Sequence, residues 1–220
     1  MNAMAVQEQT FATGGNKMWC TWLAHGVKGL LPGKIRRKLW RRDLGRFVRE
    51  HGFSSGLELG AKSGLSMEAV LKENPELRLT GIDLWEDMPD SSPYRANSST
   101  HPVAENRIRC WGNAVLMKGD CRMLGDYFAD GSLDFIFYDL YDHRWSTDVF
   151  IISVLSIYLP KLKPDGLLIG RDFDQPDVHW ALDQMGLPGP EPCRIQGRAS
   201  TRLKYVRPLP GMGIRACQPN

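Results

Sequence analysis

Apolar positions in this chain fall into two kinds of block. Some are short, nearly continuous apolar runs bounded by Gly, Pro, Asn or Asp. Others are longer stretches in which apolar residues return every three or four positions. The first kind reads as a strand buried on both faces, the second as a helix with one apolar stripe. On that basis the sequence predicts strands over 55–60, 78–83, 115–119, 133–138 and 166–170. It predicts helices over 64–74, 102–112, 147–162 and 176–185. Alternating strands and helices imply an α/β fold with a parallel sheet covered on both faces. After Gly186 the pattern changes to two strands, 191–196 and 201–207, joined by a turn around Gly197.

The flanks differ from this core. Residues 1–16 are small and polar and read as a disordered tail, and 208–220 as a C-terminal tail. Residues 17–50 form a basic extension of helical tendency, ahead of a domain over 51–207. Within it Trp40, Leu44, Phe47 and Val48 recur at helical spacing between Lys34, Arg36, Arg37, Lys38, Arg41, Arg42, Arg46 and Arg49. The favoured reading packs that stripe on the sheet edge and leaves the charges in water. A helix lying on a membrane surface through 34–49, or an anion-binding patch, is the alternative. The segment 85–101, rich in Pro, Ser and Asn, is a long loop, and long loops in compact domains often serve as lids.

Candidate chemistry gathers where predicted strands end. Leu57-Glu58-Leu59-Gly60-Ala61-Lys62-Ser63-Gly64 is a strand, a glycine turn and a helix start. Asp83 closes the next strand roughly 20 residues after that turn, where an acid can accept hydrogen bonds from ribose hydroxyls. A dinucleotide turn needs a central glycine so that backbone can approach a pyrophosphate. Lys62 stands there instead, and Glu58 at the strand mouth would repel a diphosphate. A nucleoside ligand with a cationic end suits both residues, and S-adenosylmethionine has a ribose, an ammonium and a sulfonium but no phosphate. Asp120 and Asp139 also fall at strand ends, so four acids face the edge where open α/β sheets bind ligands.

Taken in order, these segments resemble the class I S-adenosylmethionine-dependent methyltransferases. Glu58 to Ser66 resembles their first motif, and Gly81-Ile82-Asp83-Leu84-Trp85 the acidic end of their second strand. Lys118-Gly119-Asp120-Cys121 is similar to their adenine segment, and Phe135-Ile136-Phe137-Tyr138-Asp139 to their fourth motif. Tyr158 to Phe173 is similar to the helix end, turn and fifth strand that follow. The resemblance runs from near Gly52 to near Val206 and is closest to small bacterial domains that include O-methyltransferases. It implies a Rossmann-like open sheet whose last strand is antiparallel. It implies a cofactor site of Glu58, Gly60, Ala61, Lys62, Ser63, Gly64, Asp83, Leu84, Trp85, Asp120, Cys121 and Asp139. Asp83 would hold the ribose, Glu58 and Gly60 the methionine part, and Asp120 with Cys121 the adenine.

The acceptor side is Asp139-Leu140-Tyr141-Asp142-His143 together with Arg171-Asp172-Phe173-Asp174. His143 is the natural general base, because its ordinary pKa is near neutrality, and Asp139 could orient it. Asp139 and Asp172, with Asp142, are the alternative as ligands of Mg²⁺, which some enzymes of this broad group use. The metal-free version is preferred. Two departures from the family pattern bear on this: an extra residue follows Asp139, and Arg171 stands where histidine is frequent. The expected reaction is O-methylation of a small molecule such as a sugar or secondary metabolite. The alternative is a non-catalytic cofactor-binding domain tethered by its basic helix to a membrane or partner.

Global composition narrows little. The 220 residues suit one domain with an extension. A net charge of +3 is too slight to imply nucleic acid as a partner, and the chain is compatible with a homodimer. Cys20, Cys110, Cys121, Cys193 and Cys217 show no paired spacing and read as free thiols in a reducing compartment. With no basic start or apolar run at the N-terminus, the expected location is cytoplasmic.

Overall fold

Phe135 and Phe137 point to one face of the central strand, Ile136 and Tyr138 to the other, and all four are buried. A strand with period-two side chains and no polar face must be covered on both sides. The computed structural model, which describes residues 33–87, 98–141 and 147–208, has that arrangement. Strands β1 (Ser55–Leu59), β2 (Arg78–Asp83), β3 (Ala114–Lys118), β4 (Leu133–Tyr138), β5 (Leu162–Gly170), β6 (Glu191–Ile195) and β7 (Arg198–Val206) form one sheet. Their order is β3-β2-β1-β4-β5-β7-β6. The pairs from β3 to β5 are parallel, and β7 is antiparallel to both β5 and β6. This is the expected Rossmann-like sheet with an antiparallel last strand.

Helices α4 (Asp148–Tyr158) and α5 (Pro176–Gln184) cover one face, where Ile151, Val154, Leu155, Val178 and Leu182 meet Leu57, Ile136 and Leu168. The other face is covered by residues 40–48 of α1 (Gly33–Glu50) and by α2 (Leu65–Glu73) and α3 (His101–Ile108). The chain divides into two compact units, Met1–Arg37 and Lys38–Asn220. Of the first, only the start of α1 lies among the described residues. Within the second, α1 buries Trp40, Leu44, Phe47 and Val48, the stripe read from the sequence, and Trp40 lies 5.9 Å from Phe137. Arg49 and Arg46 reach Glu73 on α2, at 2.5 and 3.9 Å. Gly45 lets the two helices approach, since a Cβ there would lie 3.0 Å from the Ala69 carbonyl oxygen.

Several boundaries differ from expectation for local reasons. The helix expected over 102–112 ends at Ile108, and the chain turns at Asn113, whose amide nitrogen donates to the carbonyls of Pro75 and Leu77 at 2.7 Å each. Those bonds tie the approach to β3 onto the approach to β2. The helix expected over 147–162 stops at Tyr158 and tightens into a 3-10 turn, Leu159–Lys161, containing Pro160, which has no N–H for a helical bond. Strand β5 begins at Leu162 rather than at 166. Leu162 pairs with Leu133 before a register shift, and Pro164 and Gly166 hid that start in the sequence. Similarly β7 begins three residues earlier than expected, directly after the Gln196-Gly197 turn, where both residues have positive φ (50° and 75°).

The expected tail 1–16, all but the first residue of the expected tail 208–220, residues 17–32 of the basic extension, and the middle of the expected lid, 88–97, lie outside the described residues. So do 142–146, which include Asp142 and His143. Among the described residues no helix is long and apolar enough to cross a membrane.

The packing of α1 gives a direct test. Leu44 is fully buried, so Leu44→Ala should lower stability by about 2–5 kcal/mol through lost burial and a residual cavity. Arg42→Ala, on the exposed side of the same helix, should change it by less than about 0.5 kcal/mol. Chemical denaturation of both variants checks this. Equal effects would mean that the stripe is not part of the core.

Candidate active site

Glu58 lies one residue inside the end of β1, Asp83 ends β2, and Asp139 directly follows β4. They come together because the turn after β1 folds onto both neighbouring strands. Gly60 and Ala61 donate backbone N–H bonds to the Ile82 carbonyl at 2.9 and 3.1 Å, and Asp139 N donates to the Leu59 carbonyl at 2.9 Å. Gly60 sits at φ 93°, and a Cβ there would lie 2.6 Å from the Asp139 carbonyl oxygen. Only glycine satisfies both the backbone conformation and the contact.

Asp83 braces this turn. Its Oδ2 accepts from Lys62 N at 2.8 Å and its Oδ1 from Trp85 N at 3.3 Å. Lys62 and Trp85 both have positive φ (47° and 42°), an unfavourable conformation for residues with a Cβ that these bonds help to hold. The Trp85 indole is fully buried, donates to the Lys62 carbonyl at 2.6 Å and lies 4.5 Å from His101. Its ring therefore supports the turn from beneath. A carboxylate can accept about four hydrogen bonds, so Asp83 keeps capacity for a ligand. Around the same turn, Ala61 is buried, Leu84 half-buried, and the Lys62 side chain exposed. The Ser63 carbonyl accepts from Arg107 at 2.7 Å, and Gly64 begins α2 in a left-handed conformation (φ 70°).

Glu58 is 2% exposed, and the Ser66 hydroxyl donates to it from the first turn of α2. Burial pushes its carboxyl up to about 8 against the pull of that hydrogen bond, and the nearby Asp139 adds to the rise. Asp139 is pushed up to about 6, chiefly by burial, opposed by the Arg171 guanidinium. Burial likewise raises Asp172. The edge thus holds crowded carboxyl groups with a reluctance to ionise together.

Arg171, directly after β5, is the main counter-charge. Its Nη2 lies 3.2 Å from Asp139 Oδ1 and 3.0 Å from Asp172 Oδ2. Burial works against the charged guanidinium, and Asp139 and Asp172 outweigh it, so its pKa is raised. Its guanidinium carbon lies 5.7 Å from the centre of the Trp40 ring, over which Arg41 also lies at 4.6 Å. Trp40, Arg41 and Ser66 were not among the residues expected here. Trp40 and Arg41 read as stripe and solvated flank of α1, and only the folded chain brings them to the sheet edge.

Asp120 and Cys121 lie at the next strand end, linked to the turn through Gly119 N, which donates to the Asp83 carbonyl at 2.9 Å. Asp120 caps a 3-10 turn by accepting from Arg122 N at 2.9 Å, and it pairs with the Arg122 side chain at 2.6 Å. The Arg122 hydrogen bond holds its pKa below the usual carboxylate value. Burial raises the Cys121 thiol to about 12, and the Cys121 carbonyl accepts from the Tyr158 hydroxyl at 2.7 Å.

Among the described residues no three His, Cys, Asp or Glu side chains converge as metal ligands. Asp139 and Asp172, which with Asp142 are the alternative Mg²⁺ ligands, are held together by Arg171, and Asp142 lies outside the described residues. One guanidinium nitrogen already contacts both, and a dication beside it would meet a like charge.

Neither a family model nor a curated protein matches this sequence. Its fold does have solved relatives. A caffeoyl-CoA O-methyltransferase of provisional assignment from Staphylococcus aureus matches at 14% identity and TM-score 0.55, over 85% of this chain and 98% of the other. CalS11, a TDP-rhamnose 3'-O-methyltransferase of calicheamicin biosynthesis, matches at 18% identity and TM-score 0.57, over 87% and 88%. NodS, an N-methyltransferase from Bradyrhizobium japonicum WM9, matches at 21% identity and TM-score 0.53, over 80% and 98%. These likenesses establish the fold, a Rossmann-like open sheet shared with these methyltransferase structures.

The raised Glu58 predicts a pH dependence. Its folded value of about 8 exceeds the ordinary 4.5. The stability it contributes is full below the ordinary value and is lost as pH rises through the folded one. Wild-type stability relative to Glu58→Gln should therefore fall between about pH 5 and 8. Denaturation midpoints across that range test it, and a wild type that gains on the variant with rising pH would contradict it.

Proposed function

We propose that this protein is an S-adenosylmethionine-dependent methyltransferase acting on a hydroxyl of a small molecule. The observation that carries the reading is the meeting of Glu58, Asp83 and Asp139 around the Gly60 turn. A carboxyl-lined crevice favours a ligand with cationic ends and disfavours a diphosphate. In this reading Asp83 accepts the ribose hydroxyls with the lone pairs its backbone bonds leave over. Glu58 faces the ammonium, and Asp120 with Cys121 edges the adenine. S-adenosylmethionine supplies an electrophilic methyl group on sulfur. The protein's part is alignment and removal of the acceptor's proton.

Two residues compete for the proton. His143 is named by sequence alone and lies outside the described residues. Asp139 has the support of geometry: its Oδ1 is enclosed and lacks a well-aligned hydrogen bond, and its carboxyl is pushed up to about 6, closer to a useful base at neutral pH. In this proposal the acceptor side lies over β4 and β5.

The cofactor reading predicts that S-adenosylhomocysteine binds and NAD does not. Asp83→Ala should weaken S-adenosylhomocysteine by roughly 1–3 kcal/mol, the cost of losing charge-assisted hydrogen bonds. Calorimetry on both proteins decides this, and equal affinities or a preference for NAD would end the methyltransferase reading.

The base assignment is tested by single-turnover rates once an acceptor is in hand. If His143 takes the proton, His143→Ala slows the chemical step by ~10²–10⁴. If Asp139 does, His143→Ala leaves the rate within a few-fold and Asp139→Asn carries the large loss.

A further inference from the structure

Arg171 has more hydrogen-bonding capacity than its partners use. Nη2 serves both Asp139 and Asp172, while Nε is enclosed and meets no acceptor. The Trp40 indole Nε1, on the ring beneath this guanidinium, is likewise enclosed without an acceptor, and Asp139 Oδ1 lacks an aligned donor. Buried polar atoms are nearly always hydrogen-bonded in native proteins. Here two donors lack any acceptor, and one acceptor has only a poorly aligned ion-pair contact, at one place between α1 and the ends of β4 and β5. A ligand oxygen beside the guanidinium would supply what the donors lack, and its hydroxyl proton would supply what Asp139 lacks.

We propose that Arg171 is the resident cation of the acceptor site: its guanidinium, rather than a divalent metal, receives the acceptor oxygen as that oxygen gains negative charge. This rests on the methyltransferase reading and adds to it the group that would receive the hydroxyl oxygen and disfavour an amine. An amine bound as its ammonium would meet a like charge at Arg171. The electron balance is complete. With Asp139 as the base, the hydroxyl proton passes to its carboxylate, an oxygen lone pair forms the new O–CH₃ bond, and the pair from the broken C–S bond stays on sulfur. Asp139 then returns its proton to water.

The surroundings hold Arg171 in this role. Asp139 lies on one side, and Asp172 from its own segment on the other. Trp40 lies against it from α1, and Arg41 also lies over the Trp40 ring. Glu58 and Lys62 act behind Asp139, and Asp174 and Arg202 beside Asp172. The two carboxylates fix the guanidinium's orientation, and the Trp40 ring supports a planar cation. A lysine offers the charge without the planar fork.

The test uses the full chain saturated with S-adenosylhomocysteine, with 4-nitrophenol as an acceptor-site probe, because its neutral and ionised forms absorb differently. Wild type should prefer the phenolate by about tenfold, seen as a fall of about one unit in the probe's apparent pKa on the protein. Arg171→Met, compared in protein still saturated with S-adenosylhomocysteine as calorimetry checks, should abolish that preference, and Arg171→Lys should retain part of it. EDTA should change nothing. A wild type that binds S-adenosylhomocysteine but does not prefer the phenolate overturns this inference alone. So does a preference that survives in Arg171→Met, or one that EDTA abolishes. A wild type that fails to bind S-adenosylhomocysteine overturns the methyltransferase reading and this inference with it.

Discussion

The carboxyl edge of the sheet depends on one close approach, that of the turn after β1 to the end of β4. No side chain fits between them at Gly60, where a Cβ would stand 2.6 Å from the Asp139 carbonyl oxygen. The same turn is bonded to β2 through the Ile82 carbonyl and through Asp83. Because β1 lies between β2 and β4 in the sheet, closing both seams draws three strand ends around one short loop. The meeting of Glu58, Asp83 and Asp139 is a consequence of that closure. Gly81 extends the constraint one layer down, since a Cβ there would meet Met67 Sδ at 2.4 Å and Ala61 Cβ at 2.9 Å.

Placing acids together in a low-dielectric edge has an electrostatic cost, and the chain meets it in two ways. Glu58 and Asp139 are pushed toward their neutral forms by burial, and Arg171 is held between Asp139 and Asp172. In the proposed function a cationic ligand would relieve the remaining crowding. The energy released by pairing those carboxyls would then appear as ligand affinity rather than as fold stability. Sites of this kind are expected to show perturbed acids in the absence of ligand.

Much of the fold was legible because the central strands are buried on both faces. Strands β2 and β4 have the bounds read from the sequence, 78–83 and 133–138, since each apolar run is cut off by Asp or by a turn residue. The Trp40, Leu44, Phe47 and Val48 stripe was legible for the same reason, as a helical period pointing at a core. The ends of α3 and α4 and the start of β5 were harder. They are set by Asn113 reaching back to Pro75 and Leu77, by Pro160, and by a register shift around Pro164. At the site, the acids at strand ends could be named from spacing alone. Their partners could not, because Ser66 to Glu58 and Trp40 to Arg171 are contacts between elements far apart along the chain or across a turn. Arg171 was visible as a departure from pattern. Its position between two carboxylates is a property of the folded edge.

The central claim is that the turn around Gly60 and the acids beside it form a nucleoside-cofactor site. A crystal structure of the protein soaked with S-adenosylhomocysteine tests it most directly. The account predicts both ribose hydroxyls within hydrogen-bond distance of the Asp83 carboxylate, the ammonium beside Glu58, and the sulfur facing Asp139 and Arg171. Density for the ligand elsewhere on the chain, or an ordered turn that leaves Asp83 without ligand contact at saturation, would contradict it.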